Sequence, residues 1–176
     1  MSALVLGAGN VLLLDEGVGI RAVEELQRRY DFPDDVNVLD GGTSGIELLR
    51  FFDGVDHLII IDAISAGKPP GTVMRVEGDD VPATFETRIT PHQLGLSDLL
   101  ATARLTDVMP GHLVLFGIEP KTVESGLGFS PEVEGAVERL MGHVVGELRG
   151  LGYAVEECTE ERPCRSRFWG EGEAGD

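Results

Sequence analysis

The sequence predicts an α/β domain built on an open, mostly parallel, twisted five-stranded sheet with helices on both faces. Three observations support this class. Apolar runs typical of strands alternate with helical patterns along the chain, as they do in βαβ units. The run His57–Asp62 is continuously apolar up to its final aspartate, which is typical of a central parallel strand covered on both faces. The 176 residues, of which 42% are hydrophobic, are sufficient for one domain with a substantial core.

Five apolar runs are predicted strands, and turn residues close the first two of them. The runs lie at residues 4–6, 36–39, 57–62, 71–77 and 113–118. A glycine-containing turn at residues 7–10 follows the first run, and Asp40-Gly41-Gly42 follows the second. The short lengths and the turn signals favour strands rather than buried helices.

Helical spacing of apolar residues predicts the connecting elements. Ile20, Val23, Leu26 and Tyr30 indicate an amphipathic helix that begins after Gly17. Further helices are predicted at residues 46–52, 94–105 and 131–149, and the second of these follows a loop that carries His92. Periodicity ends near residue 155. We therefore expect a single domain at 1–155 and an acidic, mobile tail at 156–176.

The charge of the chain excludes several classes of function. It contains 14 Lys and Arg against 31 Asp and Glu, a formal net charge of -17. Such a surface repels nucleic-acid phosphates and anionic lipid, so neither partner is expected. The first residues are typical of a strand rather than a signal peptide, and no apolar run approaches the ~20 residues of a membrane span. We therefore expect a cytoplasmic protein.

Four acids and one histidine follow the predicted strands at the edge where open α/β sheets bind ligands. They are Asp15, Glu16, Asp40, Asp62 and His92. Mixed carboxylate and imidazole ligands suit a borderline divalent metal ion, and three protein ligands leave coordination positions open, as a working site requires. The sequence therefore predicts a metal site formed by Glu16, Asp62 and His92.

Each of these residues also has a structural explanation when it is taken alone. An acid such as Glu16 stabilises the start of a helix, and Asp40 before two glycines is a common turn residue. A single loop histidine is often structural. Asp62 is harder to explain in this way, because a carboxylate that closes a buried strand needs a partner or water.

Other motifs indicate little chemistry. His57, His112 and His143 lie away from the carboxyl ends of the strands, and the two cysteines fall in the polar C-terminal segment. Gly7-x-Gly9 lacks the third glycine of a dinucleotide-binding fingerprint, because position 12 is leucine. No nucleophile elbow, P-loop or His-Glu-x-x-His helix is present in the sequence.

Several motifs, in order, resemble those of the hydrogenase maturation endopeptidases. The resemblance extends over roughly residues 3–150 and is carried by Gly7-Ala8-Gly9-Asn10, Asp15-Glu16-Gly17-Val18-Gly19, Asp40-Gly41-Gly42-Thr43, Asp62-Ala63, Pro91-His92-Gln93-Leu94-Gly95-Leu96, Gly117-Ile118-Glu119-Pro120, Glu124-Ser125-Gly126-Leu127 and Ser130-Pro131.

The resemblance implies an aspartic-type endopeptidase that removes a C-terminal extension from the large-subunit precursor of a nickel-iron hydrogenase after nickel insertion. It implies that Glu16, Asp62 and His92 form the metal site, and that Asp40 is a supporting or catalytic residue, for example a general base. The metal is then the nickel of the precursor, for which zinc or cadmium is a plausible surrogate.

Three other interpretations remain open from the sequence alone. The first is a binding protein that senses nickel or escorts the large subunit without cutting it. The second is a nucleotide-binding protein. The third is an α/β domain whose strand-end acids serve solubility, and this interpretation predicts no affinity for metal.

Overall fold

The computed structural model describes residues 1–86 and 91–159, and these ranges contain seven strands and four α-helices. None of the helices combines the length and the apolar character that crossing a bilayer requires. The strands are β1 (Ala3–Ala8), β2 (Tyr30–Asp31), β3 (Val36–Gly42), β4 (His57–Ala63), β5 (Val73–Glu77), β6 (His112–Ile118) and β7 (Glu156–Glu157). The helices are α1 (Val18–Arg29), α2 (Asp80–Glu86), α3 (Pro91–Leu105) and α4 (Pro131–Gly150), with 3₁₀ helices at Leu14–Gly17 and Ile46–Phe51.

Five strands form one sheet in the order β3-β1-β4-β6-β5. The pairs β3–β1, β1–β4 and β4–β6 are parallel, and the edge strand β5 is antiparallel to β6. The prediction of an open, mostly parallel five-stranded sheet is therefore confirmed. Because β1, β3, β4 and β6 run in the same direction, their carboxyl ends meet at one edge.

Helices cover both faces of the sheet, and each face has its own hydrophobic core. Helices α1 and α4 pack on the face that carries Ile59 and Ile61 of β4. Helices α2 and α3 and the 3₁₀ helix Ile46–Phe51 pack on the face that carries Leu58 and Ile60. All four of these strand residues are fully buried, which is why β4 is continuously apolar in sequence.

The start of α3 differs from the sequence prediction in a way that matters for the site. The predicted helix began near Leu94 and left His92 in a loop, whereas α3 begins at Pro91 and carries His92 in its first turn. Proline is favoured at the first helical position because its missing N–H has no helical partner there. The imidazole is therefore held by a helix.

The helix α2 was not predicted from the sequence, because it has only seven residues. Its apolar residues Val81 and Phe85, one helical turn apart, are both buried in the core beneath α3. Two apolar positions are too few to establish a helical period.

The polypeptide after α4 packs on the domain further than the predicted boundary at residue 155. Strand β7 pairs in antiparallel fashion with β2, and Tyr153 and Val155 are buried. Most of the predicted mobile tail, residues 160–176, lies outside the described residues, and so does Cys164. The prediction of mobility therefore stays a prediction.

Gly19 allows α1 to lie against the backbone of the sheet, because a Cβ atom at this position would overlap the carbonyl oxygens of Ala8 and Ile61. We expect Gly19→Ala to lower the free energy of unfolding by about 2–3 kcal/mol. Gly142 on α4 is exposed and a Cβ atom there would meet only open space, so Gly142→Ala should raise it by about 0.5–1 kcal/mol. Urea denaturation measures both changes. Similar values for the two variants would contradict a backbone contact at Gly19.

Candidate active site at the carboxyl edge of the sheet

Asp62 lies at the end of the central strand β4 and is fully buried. One carboxylate oxygen, Oδ1, accepts a hydrogen bond from the Ala63 amide (2.8 Å) and lies 3.1 Å from Nε2 of His92. Within the described ranges, no hydrogen bond reaches the other oxygen, Oδ2. The Gln93 side chain donates to the Ala63 carbonyl (3.3 Å) while lying close enough to lower the pKa of Asp62. A buried carboxylate oxygen with spare acceptor capacity is a candidate ligand atom.

His92 lies between two carboxylates contributed by different parts of the chain. Its Nε2 atom faces Asp62, and its Nδ1 atom lies 3.8 Å from Oε1 of Glu16. Both His92 and Glu16 are only 2% exposed. The structure therefore brings together the three residues that were predicted from the sequence to form a metal site, and it buries all three. We call them the site cluster.

Glu16 is positioned by a backbone turn that folds back onto the end of β1. The Asn10 amide donates to the Glu16 carbonyl (3.2 Å), and Gly9 packs so closely on that carbonyl that a Cβ would overlap it. Leu14 has a φ of +47°, which costs a non-glycine residue on the order of 1 kcal/mol or more. Gly9 is therefore required by the close approach of this turn to the end of β1.

Two groups of the site cluster, Asp62 and His92, have raised pKa values and so favour retention of a proton. Burial raises the pKa of Asp62, and the His92 imidazole offsets this only in part. Burial alone would lower the pKa of His92, but the hydrogen bond and charge of Asp62, together with the charge of Glu16, outweigh it and raise that pKa. Two carboxylates and one imidazole in contact thus form a set that binds positive charge, either as a proton or as a cation.

Asp40 lies at the same edge of the sheet but on the other face. It is aligned in register with Gly7, which is aligned with Ile61, and residues in register on parallel strands point to the same side. Its Oδ1 atom accepts from the Gly42 amide (2.8 Å). Burial raises the pKa of Glu24 on α1, and the charge of Asp40 adds to this increase. Burial raises the pKa of Asp40 itself. In the described part of the chain it forms no hydrogen bond with the site cluster, so its catalytic role stays a prediction.

Asp15, the neighbour of Glu16, points away from the site cluster and ties two loops together. Its carboxylate accepts hydrogen bonds from the amides of Lys121 (2.9 Å), Thr122 (3.1 Å) and Ser130 (2.7 Å) and from the Ser130 hydroxyl (2.9 Å). Burial alone would raise the pKa of Asp15, but these four hydrogen bonds outweigh it and lower the pKa. Ser130 in turn caps α4 by accepting from the Val133 amide.

Glu119 and Gln93 also hold the edge together, and neither was singled out from the sequence. The Glu119 carboxylate is buried and accepts from the amides of Ala66 (2.7 Å) and Lys68 (3.2 Å), so it fixes the loop that follows Asp62. Both residues lie inside motifs of the family resemblance, which was the signal available in the sequence.

The remaining histidines have partners elsewhere, as their positions in the sequence predicted. His57 pairs with the Tyr153 hydroxyl (2.7 Å), and His112 with Glu147 (3.0 Å), at the opposite edge of the sheet. His143 stacks on Phe116. Among the described residues, no three His, Cys, Asp or Glu side chains are spaced as a ready-made metal site. A metal ion at the site cluster would therefore have to replace the contacts between His92 and the carboxylates.

The protein is an α/β protein with a mostly parallel sheet, and two carboxylates and an imidazole are buried at the carboxyl edge of that sheet. Proteins of this class bind their ligands at this edge. Comparison with known sequences gives the family. The family model described as hydrogenase maturation protease matches residues 20–147. The chain therefore belongs to the hydrogenase maturation protease family, a family of peptidases.

Individual relatives agree with this assignment. The chain is 48% identical over 153 residues to the hydrogenase 2 maturation protease of Escherichia coli, covering 86% of this chain and 93% of that protein. It is 40% identical to the hydrogenase expression/formation protein HupD of Rhodobacter capsulatus, covering 86% and 73%.

Solved structures of similar proteins have the same fold. The hydrogenase maturating endopeptidase HybD from Escherichia coli superposes with a TM-score of 0.86 at 46% identity, covering 89% of this chain and 98% of that chain. The [NiFe] hydrogenase maturation protease HybD from Thermococcus kodakarensis superposes with a TM-score of 0.69 at 28% identity, covering 84% and 99%.

Replacement of Asp15 tests its role as the connection between the two loops. We expect Asp15→Asn to lower the free energy of unfolding by about 2–4 kcal/mol, because an amide group would face the backbone donors that the carboxylate now satisfies. Asp53→Asn, in an exposed turn, is the matched control and should change stability by less than about 0.5 kcal/mol. Thermal and urea denaturation measure both. Equal stability of the two variants would contradict the role given to Asp15.

Proposed function

We propose that this protein cleaves the C-terminal extension from the large-subunit precursor of a nickel-iron hydrogenase after nickel has been inserted. In this proposal Glu16, Asp62 and His92 bind the nickel that the precursor carries. The observation that carries the proposal is the convergence of two buried carboxylates and one imidazole from three separate segments, with the distances of 3.1 and 3.8 Å given above. Membership of the hydrogenase maturation protease family supports peptide-bond cleavage as the activity.

The donor set of the site cluster fits nickel. Two carboxylates and an imidazole are oxygen and nitrogen donors of the type that borderline divalent ions accept, and three protein ligands leave positions for ligands supplied by the precursor. Nickel is then part of the substrate, and its coordination by the cluster places the adjoining peptide segment at the edge of the sheet. Without precursor, zinc or cadmium ions are expected to bind the same three side chains as surrogates.

The reaction itself requires water, a carbonyl and a proton acceptor. Water adds to the scissile carbonyl carbon, the C–N bond breaks, and the leaving amine takes up the proton that the water loses. We assign Asp40 as the candidate base, since burial raises its pKa toward the range of a useful proton acceptor. Its position on the face opposite Asp62 means that the substrate segment would have to extend across the end of β1 to meet both.

The decisive experiment compares nickel-loaded and nickel-free precursor. We expect the protein to shorten the nickel-loaded large subunit, detected by mass spectrometry as loss of its C-terminal segment, and to leave the nickel-free precursor intact. Equal cleavage of both would refute the dependence on nickel. A stable complex without any shortened subunit would instead favour the escort function.

Substitutions in the site cluster test the same proposal independently. His92→Ala and Glu16→Gln should each lower the rate of processing by on the order of a hundredfold or more, because even indirect support of a metal ligand is worth 10–100-fold. The fold should persist, since burial raises the pKa of Asp62 and lets it become neutral when the imidazole is absent. His143→Ala and Glu134→Gln, at exposed positions of α4, are the matched controls.

The readouts are the rate of processing and the melting temperature of each variant. Full activity in His92→Ala or Glu16→Gln would remove that residue from the site. Asp40→Asn, measured in the same series, should lower the rate without changing the binding of nickel-loaded precursor. Unchanged turnover in Asp40→Asn would exclude it as the base.

A further inference from the structure

The exposed apolar side chains of this protein are concentrated at one edge. Among the described residues, eight large apolar side chains are exposed, and two of these, Met1 and Leu105, lie at the amino edge of the sheet. Five of the other six lie in segments that follow the carboxyl ends of β1, β3 and β6, and the sixth lies in the first turn of α3, beside His92. They are Val11, Leu12, Ile46, Leu94, Val123 and Leu127, and we call them the apolar rim.

Backbone contacts join the rim residues into two groups. The Gly126 amide donates to the Leu12 carbonyl (2.9 Å) and the Leu14 amide to the Gly126 carbonyl (3.3 Å), so the loops carrying Leu12 and Leu127 lie side by side. On the other side, Gly45 packs against Gly95, where a Cβ on Gly45 would lie 3.0 Å from the Gly95 Cα. This contact places Ile46 beside Leu94.

The two groups are directly connected to the site cluster. Leu12 precedes Glu16 by four residues in the turn that positions the glutamate, and Leu94 lies two residues after His92 in the first turn of α3. The three residues of the cluster are at most 2% exposed. A macromolecule that reaches them must therefore lie against the loops that cover them, and these loops display the rim.

The negative charge of this protein favours a partner that carries basic side chains. The whole chain has a formal net charge of -17, and the exposed acids Glu47 and Glu124 adjoin Ile46 and Val123 in the rim. A second copy of the same chain would be repelled at close range, whereas an apolar segment flanked by Lys or Arg would be attracted. An exposed apolar patch beside a functional site commonly marks an interaction surface.

We propose that the apolar rim binds an apolar segment of the large-subunit precursor that is flanked by basic side chains, next to the bond to be cut. This inference rests on the proposed function and deepens it by naming the surface and the chemistry that recognise the substrate. The rim would supply affinity for the precursor, and the site cluster would supply recognition of its nickel.

The test uses the double variant Leu12→Asp/Leu127→Asp and the control Leu105→Asp, whose side chain is 86% exposed at the opposite edge. We expect the double variant to raise the KM for nickel-loaded precursor by about tenfold or more, with little change in kcat and an unchanged melting temperature. The control should match the wild type in all three. Higher ionic strength should raise the KM of the wild type.

Direct binding separates this inference from the proposed function. The Kd of the precursor is measured with the Glu16→Gln protein, with and without the rim substitutions, and sedimentation gives the oligomeric state. A similar Kd with and without them would overturn the rim proposal, as would a wild-type dimer that the rim substitutions dissociate. Rim-dependent binding without any cleavage by the wild type would support the rim and refute the peptidase proposal.

Discussion

The burial of the Asp62 carboxylate at the end of the central strand is the constraint on which the rest of the site depends. Strand β4 is covered on both faces, so this acid has no access to water and needs a polar partner inside the protein. The imidazole of His92 supplies it, and this requires α3 to begin at Pro91 and to run down the face that carries Ile60. The site therefore depends on the core, because the packing of α3 sets the distance between the Asp62 and His92 side chains.

The adjacent acids Asp15 and Glu16 have different roles because their side chains contact different partners. The Asp15 carboxylate is satisfied by four hydrogen-bond donors from the segment before α4, and these hold its pKa below the ordinary value. Glu16 faces an imidazole instead, and its charge contributes to the raised pKa of that imidazole. Both are buried acids in the same 3₁₀ helix. The first holds a loop in place, and the second contributes a carboxylate to the site cluster.

Local patterns in the sequence were sufficient for the strands, for most helices and for the meeting of Glu16 with Asp62, because the carboxyl ends of the parallel strands β1 and β4 share one edge. His92 reaches this edge in another way, because β5, the strand before it in the sequence, is antiparallel and ends at the opposite edge, and the start of α3 carries the imidazole instead. Local patterns were also enough to place Asp40 at the shared edge. The face of the sheet on which Asp40 lies follows from the alternation of side chains along β3, in which Val38 and Asp40 point to the same side. The prediction from sequence did not use this two-residue alternation. The role of Asp15 was out of reach, because its partner Ser130 is 115 residues away and no local pattern encodes such a contact.

The separation of 115 residues between Asp15 and Ser130 also affects how the protein folds during synthesis on the ribosome. The turn that carries Glu16 is made early, but the amide and hydroxyl that satisfy Asp15 emerge only after residue 130 has been synthesised. Until then the Asp15 carboxylate of the nascent chain lacks the hydrogen-bond donors that it has in the folded protein. Contacts of such high sequence separation also form slowly. The turn that carries Asp15 and Glu16 therefore acquires its final contacts only after the start of α4 has been made, and a chain truncated before residue 130 would lack the donors that fix this turn.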